Sequence, residues 1–294
     1  MKHKSVLLKE SIVAIEPKSG GIYVDMTLGA AGHTKKILEL SSPDGVVIAF
    51  DKDKEAIKHA EDTLKKTYED RLILINDDYA NLREHLDRLN IETVDGVIMD
   101  LGVSLDQLTS DRGFSFNVDA ELDMRMDRRK PLTAEQIVNH WDLEDIERIL
   151  RVYGEEKFSR RIAKAIVKNR PITSTKQLAE IIELAVPRNV SRKIHPATRS
   201  FQALRIVVND ELESLQIGLK SAIESLSPKG VVCVISFHSL EDRIVKNIFR
   251  DYKKEGIIRP LTKKPITPTE DEIKSNRHAR SAKMRCAIRL PQEA

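Results

Sequence analysis

Apolar and polar residues alternate along the N-terminal third of the chain in a pattern that predicts strands separated by helices. Four apolar runs have the length of buried strands, and between them apolar residues recur every three or four positions. This alternation is typical of βαβ units, whose right-handed crossovers build one parallel sheet. The four runs are 22–25, 46–50, 72–75 and 94–99.

The pattern changes after the fourth predicted strand. From Leu105 to about Arg199 the residues show helical periodicity and no convincing strand. Thr133–Gln136 and Ser174–Gln177 are typical of capping boxes at helix starts, because a polar N-cap is followed three residues later by glutamine. We therefore expect a helical domain, residues 105–199, inserted into a sheet domain made of residues 1–104 and 200–294.

The C-terminal part returns to the sheet. One long helix is predicted over about 200–226, followed by a fully apolar fifth strand, Val231–Ser236. Arg259–Ile266 and Met284–Leu290 are expected to close the sheet as an antiparallel hairpin. We expect the polar, basic stretch 267–282 between them to be a mobile linker.

Composition agrees with a globular protein of about two domains, since the chain has 294 residues and is 40% hydrophobic. No apolar run approaches the length of a membrane span, and no apolar segment follows the charged N-terminus as it would in a signal peptide. Cys233 and Cys286 both lie in apolar runs without a CxxC partner, which indicates buried thiols in a reducing compartment. We expect a soluble cytoplasmic protein.

Basic residues are clustered although the net charge is only +3. Clustered cations are typical of proteins that contact a phosphate backbone. The alternative is the solvated face of a charge-rich, heat-adapted protein, because 32% of the residues are charged. The three clusters are Arg125, Arg128, Arg129 and Lys130; Arg188, Arg192, Lys193 and Arg199; and Arg277, Arg280, Lys283 and Arg285.

The turn after the first strand predicts a ligand site. Asp25 ends that strand, and Gly29 and Gly32 permit a tight turn with a close backbone approach. A dinucleotide fingerprint would need a third, middle glycine, where this chain has alanines. Asp51, which ends the second strand, suits a ribose diol. A nucleoside without phosphates, such as S-adenosylmethionine, therefore fits better than a dinucleotide; the alternative is a glycine turn that serves only packing.

Other strand ends carry polar or aromatic residues at the same predicted edge. Asp100 ends the fourth strand and Phe237-His238 the fifth, while Tyr79 follows the third and could stack on adenine. A single aspartate or histidine at such a place is often a helix cap, and a tyrosine often packs at a helix entry. Because open α/β sheets bind ligands at this edge, the coincidence of these strand ends predicts a site.

Several long motifs resemble one bacterial family, the S-adenosylmethionine-dependent cytosine-N4 methyltransferases of small-subunit (16S) ribosomal RNA, or MraW family. The resemblance covers nearly the whole chain. Two departures are Ala30-Ala31 in the glycine turn and Ala120-Glu121 before Leu122, where Gly-Pro is expected. The motifs are 25–33, Asp100-Leu101-Gly102-Val103-Ser104, Arg112-Gly113-Phe114-Ser115-Phe116, 122–127, 195–206 and 236–243.

The resemblance implies a class I (Rossmann-like) methyltransferase sheet of the α/β class, with the helical insertion after strand four recognising RNA. It implies that the substrate is a cytidine of the ribosomal decoding centre in an assembled or nearly assembled small subunit, and that no membrane is involved. The scattered histidines give no metal-ligand spacing, so no metal is expected. The residues expected at the cofactor are Asp25, Gly29, Ala31, Gly32, His33, Asp51, Tyr79, Asp100 and Gln107.

Methylation of a cytosine amine sets the catalytic expectations. The amine lone pair is delocalised into the ring, so the enzyme must orient the nitrogen, accept its N–H hydrogen bonds and exclude water. Asp100 is the best-placed acceptor, although Asp-Leu-Gly-Val replaces the Asp/Asn-Pro-Pro-aromatic motif of many amino-methyltransferases. Stacking on the base is then expected from Phe237 or Phe116. His238 either relays a proton or merely caps the following helix.

Other functions remain open at this point. A methyltransferase acting on DNA amines or on a small molecule has the same cofactor site, although the insertion and basic clusters disfavour a small molecule. A non-catalytic RNA-binding assembly factor could retain a nucleoside pocket. A dinucleotide redox enzyme fits least well, because the glycine pattern lacks the pyrophosphate fingerprint.

Overall fold

A computed structural model describes residues 5–187 and 194–291. The chain forms two compact units: Met1–Gly102 with Leu212–Ala294, here called the sheet unit, and Val103–Glu211, here called the helical unit. The helical unit thus begins two residues earlier and ends twelve residues later than the expected 105–199 insertion. The later end follows from the helix Thr198–Asn209, which packs on helices of the helical unit.

The sheet unit contains a seven-stranded sheet with the order β3-β2-β1-β4-β5-β7-β6. The first five strands pair in parallel, whereas β7 is antiparallel to both of its neighbours. The parallel sheet is confirmed, and so are two antiparallel strands that close it, although the first of them spans only Ile258–Pro260 rather than 259–266, with an isolated bridge at Ile266. The strands are β1 Ile22–Asp25, β2 Val46–Phe50, β3 Leu72–Ile75, β4 Val94–Asp100, β5 Leu226–Ser236, β6 Ile258–Pro260 and β7 Lys283–Arg289.

Helices cover both faces of this sheet. Alternate residues of each strand point to opposite faces, and in β2 Val47 and Ala49 join one buried cluster while Ile48 and Phe50 join the other. Both faces are apolar, as expected for parallel strands covered on both sides. The helices of this unit are α1 Leu8–Ile15, α2 Gly32–Leu40, α3 Lys54–Ala60, α4 Lys66–Tyr68, α5 Leu82–Arg88, α12 Glu211–Glu224, α13 Ser239–Lys254 and α14 Glu270–Ser275; a π-helical turn, Glu61–Lys65, joins α3 to α4.

The helical unit has its own core, built from apolar stripes of several helices. Helix α8 contributes Ile146, Ile149 and Leu150, all nearly inaccessible to solvent. Thr133 and Gln136 form the predicted capping box, with the Thr133 hydroxyl accepting from the Gln136 N–H. Ser174 also accepts from the Gln177 N–H, but the Gln177 side chain accepts from the Thr173 N–H, so this second capping box is only half formed. The helices are α6 Leu105–Thr109, α7 Ala134–His140, α8 Leu143–Val152, α9 Ser159–Lys168, α10 Thr175–Ala185 and α11 Thr198–Asn209.

The single long helix expected over 200–226 is wrong, because Asp210 interrupts it in the left-handed conformation (φ 52°). The preceding Asn209 explains the break. Its amide donates to the Met124 carbonyl at 2.8 Å and accepts from the Met126 N–H at 2.7 Å. Asp210 itself pairs with Lys130 at 2.7 Å. These contacts to a distant loop end the first helix where local periodicity would continue it.

Two further expectations at the C-terminal part need correction. Strand β5 begins at Leu226 rather than Val231, with a register shift against β4 between Val94 and Gly96. The stretch 267–282 is not a mobile linker, because it contains α14 and a 3₁₀ turn, Arg277–Ser281. Ala279 and Ala282 are buried in the sheet unit's core and thereby hold this segment against it.

The two cysteines are buried, as predicted, and both are free thiols. They lie opposite each other on the antiparallel strands β5 and β7. Within residues 5–187 and 194–291, no helix combines the length and apolar character needed to cross a membrane.

Candidate active site

The glycine turn between β1 and α2 is held by Asp25. Its buried carboxylate accepts from the Thr34 hydroxyl at 2.7 Å and from the Thr27 N–H at 3.1 Å. Burial raises the pKa of Asp25 to about 6, although these hydrogen bonds favour the charged form. Gly29 and Ala31 both have positive φ, +48° and +62°. Ala31 adopts this conformation despite its Cβ. The turn therefore forms although Ala30-Ala31 departs from the family's pattern.

Asp51 ties the end of β2 to the glycine turn. Its carboxylate accepts from the Gly29 N–H at 2.9 Å and from the Asp53 N–H at 2.8 Å, one bond to each oxygen. Burial raises the pKa of Asp51 to about 6, and the charges of Asp53 and Asp25 add to this shift. Because each carboxylate oxygen has a second lone pair, Asp51 can still accept from the hydroxyls of a ribose.

Asp100 ends β4 beside the same turn. Its N–H donates to the Thr27 hydroxyl at 2.6 Å, which fixes the strand end against the turn. One carboxylate oxygen, Oδ2, lies 3.8 Å from Nδ1 of His33, whose side chain is also buried. The other oxygen, Oδ1, is buried and accepts no hydrogen bond from the part of the chain that the structure describes.

The carboxyl group of Asp100 has the most perturbed acidity of these three aspartates. Burial raises its pKa well above the usual range, and the nearby carboxylates of Asp25, Glu241 and Glu272 raise it further. A buried acceptor without a partner costs free energy unless a ligand satisfies it. Asp100 Oδ1 is therefore a candidate acceptor for a ligand N–H or cation.

Tyr79 follows β3 and lies against Gly218 of α12, where an added Cβ would come within 2.6 Å of the ring. Lys52 Nζ lies 5.7 Å from the ring centroid and is held by Asp78 at 2.8 Å and the Ser214 hydroxyl at 3.0 Å. Tyr79 and Lys52, the residue after Asp51, therefore lie next to each other in the sheet unit. Lys52 was not predicted, and the available signal was its position directly after Asp51, the acid that the sequence predicts at the ribose.

Phe237 and His238 lie at the end of β5. The Phe237 ring packs on Gly102, 3.5 Å from where a Cβ would stand, and Gly102 has φ +96°. His238 is the N-cap of α13: Nδ1 accepts from the Glu241 N–H at 3.4 Å, and Nε2 lies 3.2 Å from Glu241 Oε1. The capping alternative for His238 is thus observed, whereas its role as a proton relay stays a prediction.

Gln107 and Phe116 belong to the helical unit. The Gln107 side chain forms a capping box with Ser104 and accepts from its N–H at 3.1 Å, so it has a structural role at the start of α6. Its expected cofactor contact stays a prediction. Phe116 stacks on His195, with ring centroids 4.4 Å apart, so one of its two faces is already covered.

The three strand-end aspartates suit a cationic nucleoside. Carboxylates that burial and mutual repulsion make hard to ionise are stabilised by a nearby positive charge. S-Adenosylmethionine carries a sulfonium, an ammonium group and a ribose diol, so its hydroxyls match Asp51, and its positive charge offsets the repulsion among the buried carboxylates. A separate cavity of about 680 Å³ between α1, α2 and α14 contains Gly32 but none of these aspartates. The strand ends are the better cofactor site.

The basic clusters differ in how far acids neutralise them. In the first, Arg125 pairs with Asp123, Arg129 with Asp127 and Lys130 with Asp210. In the third, Lys283 and Arg285 share Asp242, whereas Arg277 and Arg280 are exposed. Arg188, Arg192 and Lys193 of the second cluster lie outside the described residues. The first cluster is therefore a weaker candidate than the third for contacts with phosphate groups.

Known proteins resemble this chain along nearly its entire length. The family model described as the MraW methylase family matches residues 1–290. The ribosomal RNA small subunit methyltransferase H of Brevibacillus brevis is 44% identical over 308 aligned positions, covering 98% of each chain. The protein of that name from Carboxydothermus hydrogenoformans is 47% identical over 307 positions, again 98% of each chain. The one from Sulfurihydrogenibium sp. is 46% identical over 294 positions, covering 99% of this chain and 100% of that protein.

Proposed function

This chain belongs to the MraW methylase family, and from that membership we propose that it methylates the exocyclic N4 amine of a cytidine in the decoding centre of 16S ribosomal RNA. At the coarser level, the protein is an rRNA methyltransferase whose cofactor is S-adenosylmethionine. The proposal adds the atom that is methylated and the place of that nucleotide. A ribosomal substrate would also place the protein in the cytoplasm.

Asp100 is the observation that supports an amine as the acceptor. A hydroxyl or carbon acceptor offers no pair of N–H groups, whereas an exocyclic amine does. The buried Oδ1, which has no hydrogen-bond partner among the described residues, can accept one of them at the end of β4. Phe237, packed on Gly102 at the neighbouring strand end, is the proposed aromatic neighbour of the base.

The reaction requires little acid–base chemistry from the protein. The cofactor supplies an electrophilic methyl group on a positively charged sulfur. Asp100 accepts a hydrogen bond from one N–H of the amine and thereby orients the amine. The lone pair of the amine nitrogen then points away from Asp100. Transfer of the methyl group would break its bond to sulfur, with the electron pair staying on the sulfur, and would leave the methylated amine with an excess proton. The ionised Asp100 carboxylate, whose pKa burial raises, would accept that proton.

Cofactor binding is proposed to use the rest of the sheet edge. Asp51 accepts from the ribose hydroxyls and Tyr79 stacks on adenine. The turn from Gly29 to His33 permits a close approach of the backbone, and Asp25 maintains the conformation of that turn through Thr34 and Thr27.

Cofactor affinity should decrease as the pH falls through about 6. The pKa of Asp51 is raised to about 6, so below that pH the carboxyl is protonated and loses part of its capacity to accept from the ribose. The dissociation constant should stay constant above pH 7 and rise by up to about tenfold per unit below the pKa. Calorimetric titration between pH 5 and 8 measures this.

The control for the pH series is Asp51→Asn, which removes the titrating group but keeps the side-chain shape. The variant should bind the cofactor weakly with a flatter pH profile, and Asp25, whose pKa is also about 6, accounts for any remainder. An affinity of the native protein that is the same at pH 5 and pH 8 would contradict the proposed role of Asp51.

The helical unit is proposed to recognise the RNA. It leaves the sheet unit directly after the Asp100 loop, and it contains Arg188, Arg192 and Lys193. Neutralising these three residues together should raise the KM for the small subunit and flatten its salt dependence, because each phosphate contact contributes to the salt slope. Cofactor affinity should not change. If the variant has the same KM as the native protein at low salt and again at high salt, the cluster does not contact the RNA.

Transfer of a radiolabelled methyl group tests the proposed substrate. Small subunits from cells lacking the protein should accept label, while a short oligonucleotide with the target cytidine should accept it poorly. Label appearing instead in duplex DNA would identify a DNA amino-methyltransferase. Cofactor binding without transfer to any RNA would identify a non-catalytic assembly factor.

A further inference from the structure

An exposed histidine ring lies flat on a phenylalanine in the helical unit. The rings of His195 and Phe116 are 4.4 Å apart between centroids and inclined by 23°. Phe116 in turn packs edge-to-face on Phe201, at 5.3 Å and 82°. Phe201 is buried in the helical unit's core, Phe116 is half-buried and His195 is exposed. The three rings therefore form a continuous stack from the core to solvent.

The orientation of the outer ring is fixed by the backbone. His195 Nδ1 accepts from the Ala197 N–H at 3.2 Å, and the His195 carbonyl accepts from the Thr198 N–H at 3.1 Å, where α11 begins. One ring face is covered by Phe116, so the exposure of His195 is through its opposite face and its edge. This is a flat, pre-oriented aromatic surface that a partner can contact without ordering a mobile side chain.

We propose that His195, supported by Phe116, stacks on an unpaired base of the substrate RNA other than the target cytidine. The inference rests on the proposed function, which supplies a single-stranded RNA partner. Proteins that bind unpaired RNA stack its bases on phenylalanine, tyrosine, tryptophan or histidine, and such stacking tolerates any base. Phe116, expected from the sequence to stack on the target itself, instead supports the ring that contacts the RNA.

We assign to His195 a base other than the target, because Asp100 is proposed to orient the reacting amine and Phe237 is proposed to lie beside the target base. A base held on His195 would bind equally in the ground state and in the transition state. Its loss should therefore raise KM and leave kcat unchanged.

The test compares His195→Ala, His195→Tyr and Phe116→Leu with the native protein. His195→Ala should raise both the KM and the directly measured dissociation constant for small subunits by between about fivefold and a hundredfold, the range for loss of one stacked base. Phe116→Leu should show a smaller rise, and His195→Tyr should restore binding because it keeps an aromatic face. In the two His195 variants, kcat and cofactor affinity should stay at the native values. The matched control is His140→Ala, another exposed histidine of the helical unit.

The inference is overturned if His195→Ala binds and methylates subunits like the native protein, or if His195→Tyr is as defective as His195→Ala. A fall in kcat at unchanged KM would also overturn it, because that would place His195 at the target. Subunit binding is measured by filter retention without methyl transfer. Failure of the native protein to methylate cytidine would therefore refute the proposed function while the stacking result is still obtained.

Discussion

Replacing Asp100 by asparagine is expected to lower kcat by about 10²–10³-fold, the usual effect of losing one positioned electrostatic group in an active site. Asparagine has nearly the same shape, so the contact between the strand end and Thr27 is retained. The negative charge and the ability to take the amine proton are lost. The dissociation constant for S-adenosylmethionine should change much less than kcat, because Asp51 and Tyr79 are unaltered. Single-turnover methyl transfer and calorimetric titration measure the two quantities.

Asp95→Asn is the matched control. Asp95 is also on β4, but its carboxylate accepts from the Ile22 N–H and the Ser227 hydroxyl, away from the glycine turn. This variant should retain native kcat. If Asp100→Asn weakens cofactor binding as much as it lowers kcat, Asp100 is a cofactor ligand, and the group that orients the amine must be sought at His238.

Replacing Asp51 by alanine should weaken cofactor affinity by about tenfold to a hundredfold, since each hydrogen bond to a charged acceptor contributes about 1.5–3 kcal/mol. The variant also loses the bond from the Gly29 N–H, which loosens the turn at the cofactor. At saturating cofactor, kcat should be close to native, because Asp51 does not touch the reacting amine.

The comparison variant is Asp53→Ala, two residues further along. Asp53 is buried and caps α3 by accepting from the Glu55 N–H at 3.0 Å. Its loss should lower the free energy of unfolding by about 1 kcal/mol without changing cofactor affinity. If calorimetry gives Asp51→Ala the native dissociation constant, Asp51 does not bind the cofactor and its carboxylate serves only the glycine turn.

The parallel sheet could be predicted because its information is local. Each of the first four strands is a short apolar run, and the aspartates that follow β1, β2 and β4 meet at one edge by the geometry of parallel strands. The same argument placed Phe237 and His238 there. Even the alternative role of His238 was predictable, since Glu241 follows it at capping-box spacing.

What could not be predicted depends on contacts between residues distant in sequence. Asp210 breaks a helix because Asn209 bonds to Met124 and Met126, more than eighty residues earlier. Burial of Ala279 orders a stretch whose composition resembles a linker. The approach of His33 to Asp100 joins the first turn of α2 to the end of β4, and the stack of His195 on Phe116 joins two motifs that the sequence separates.

The identity of the methylated atom tests the central claim most directly. Small subunits from cells lacking the protein would be incubated with the native protein and S-adenosylmethionine carrying a deuterated methyl group. The rRNA would then be digested to nucleosides and analysed by liquid chromatography and mass spectrometry beside synthetic standards. We predict that the label co-elutes with a standard methylated on cytidine N4, and that in incubations short enough to measure initial rates Asp100→Asn lowers this peak by about 10²–10³-fold. Label in 5-methylcytidine or in a 2′-O-methylated nucleoside would contradict the account.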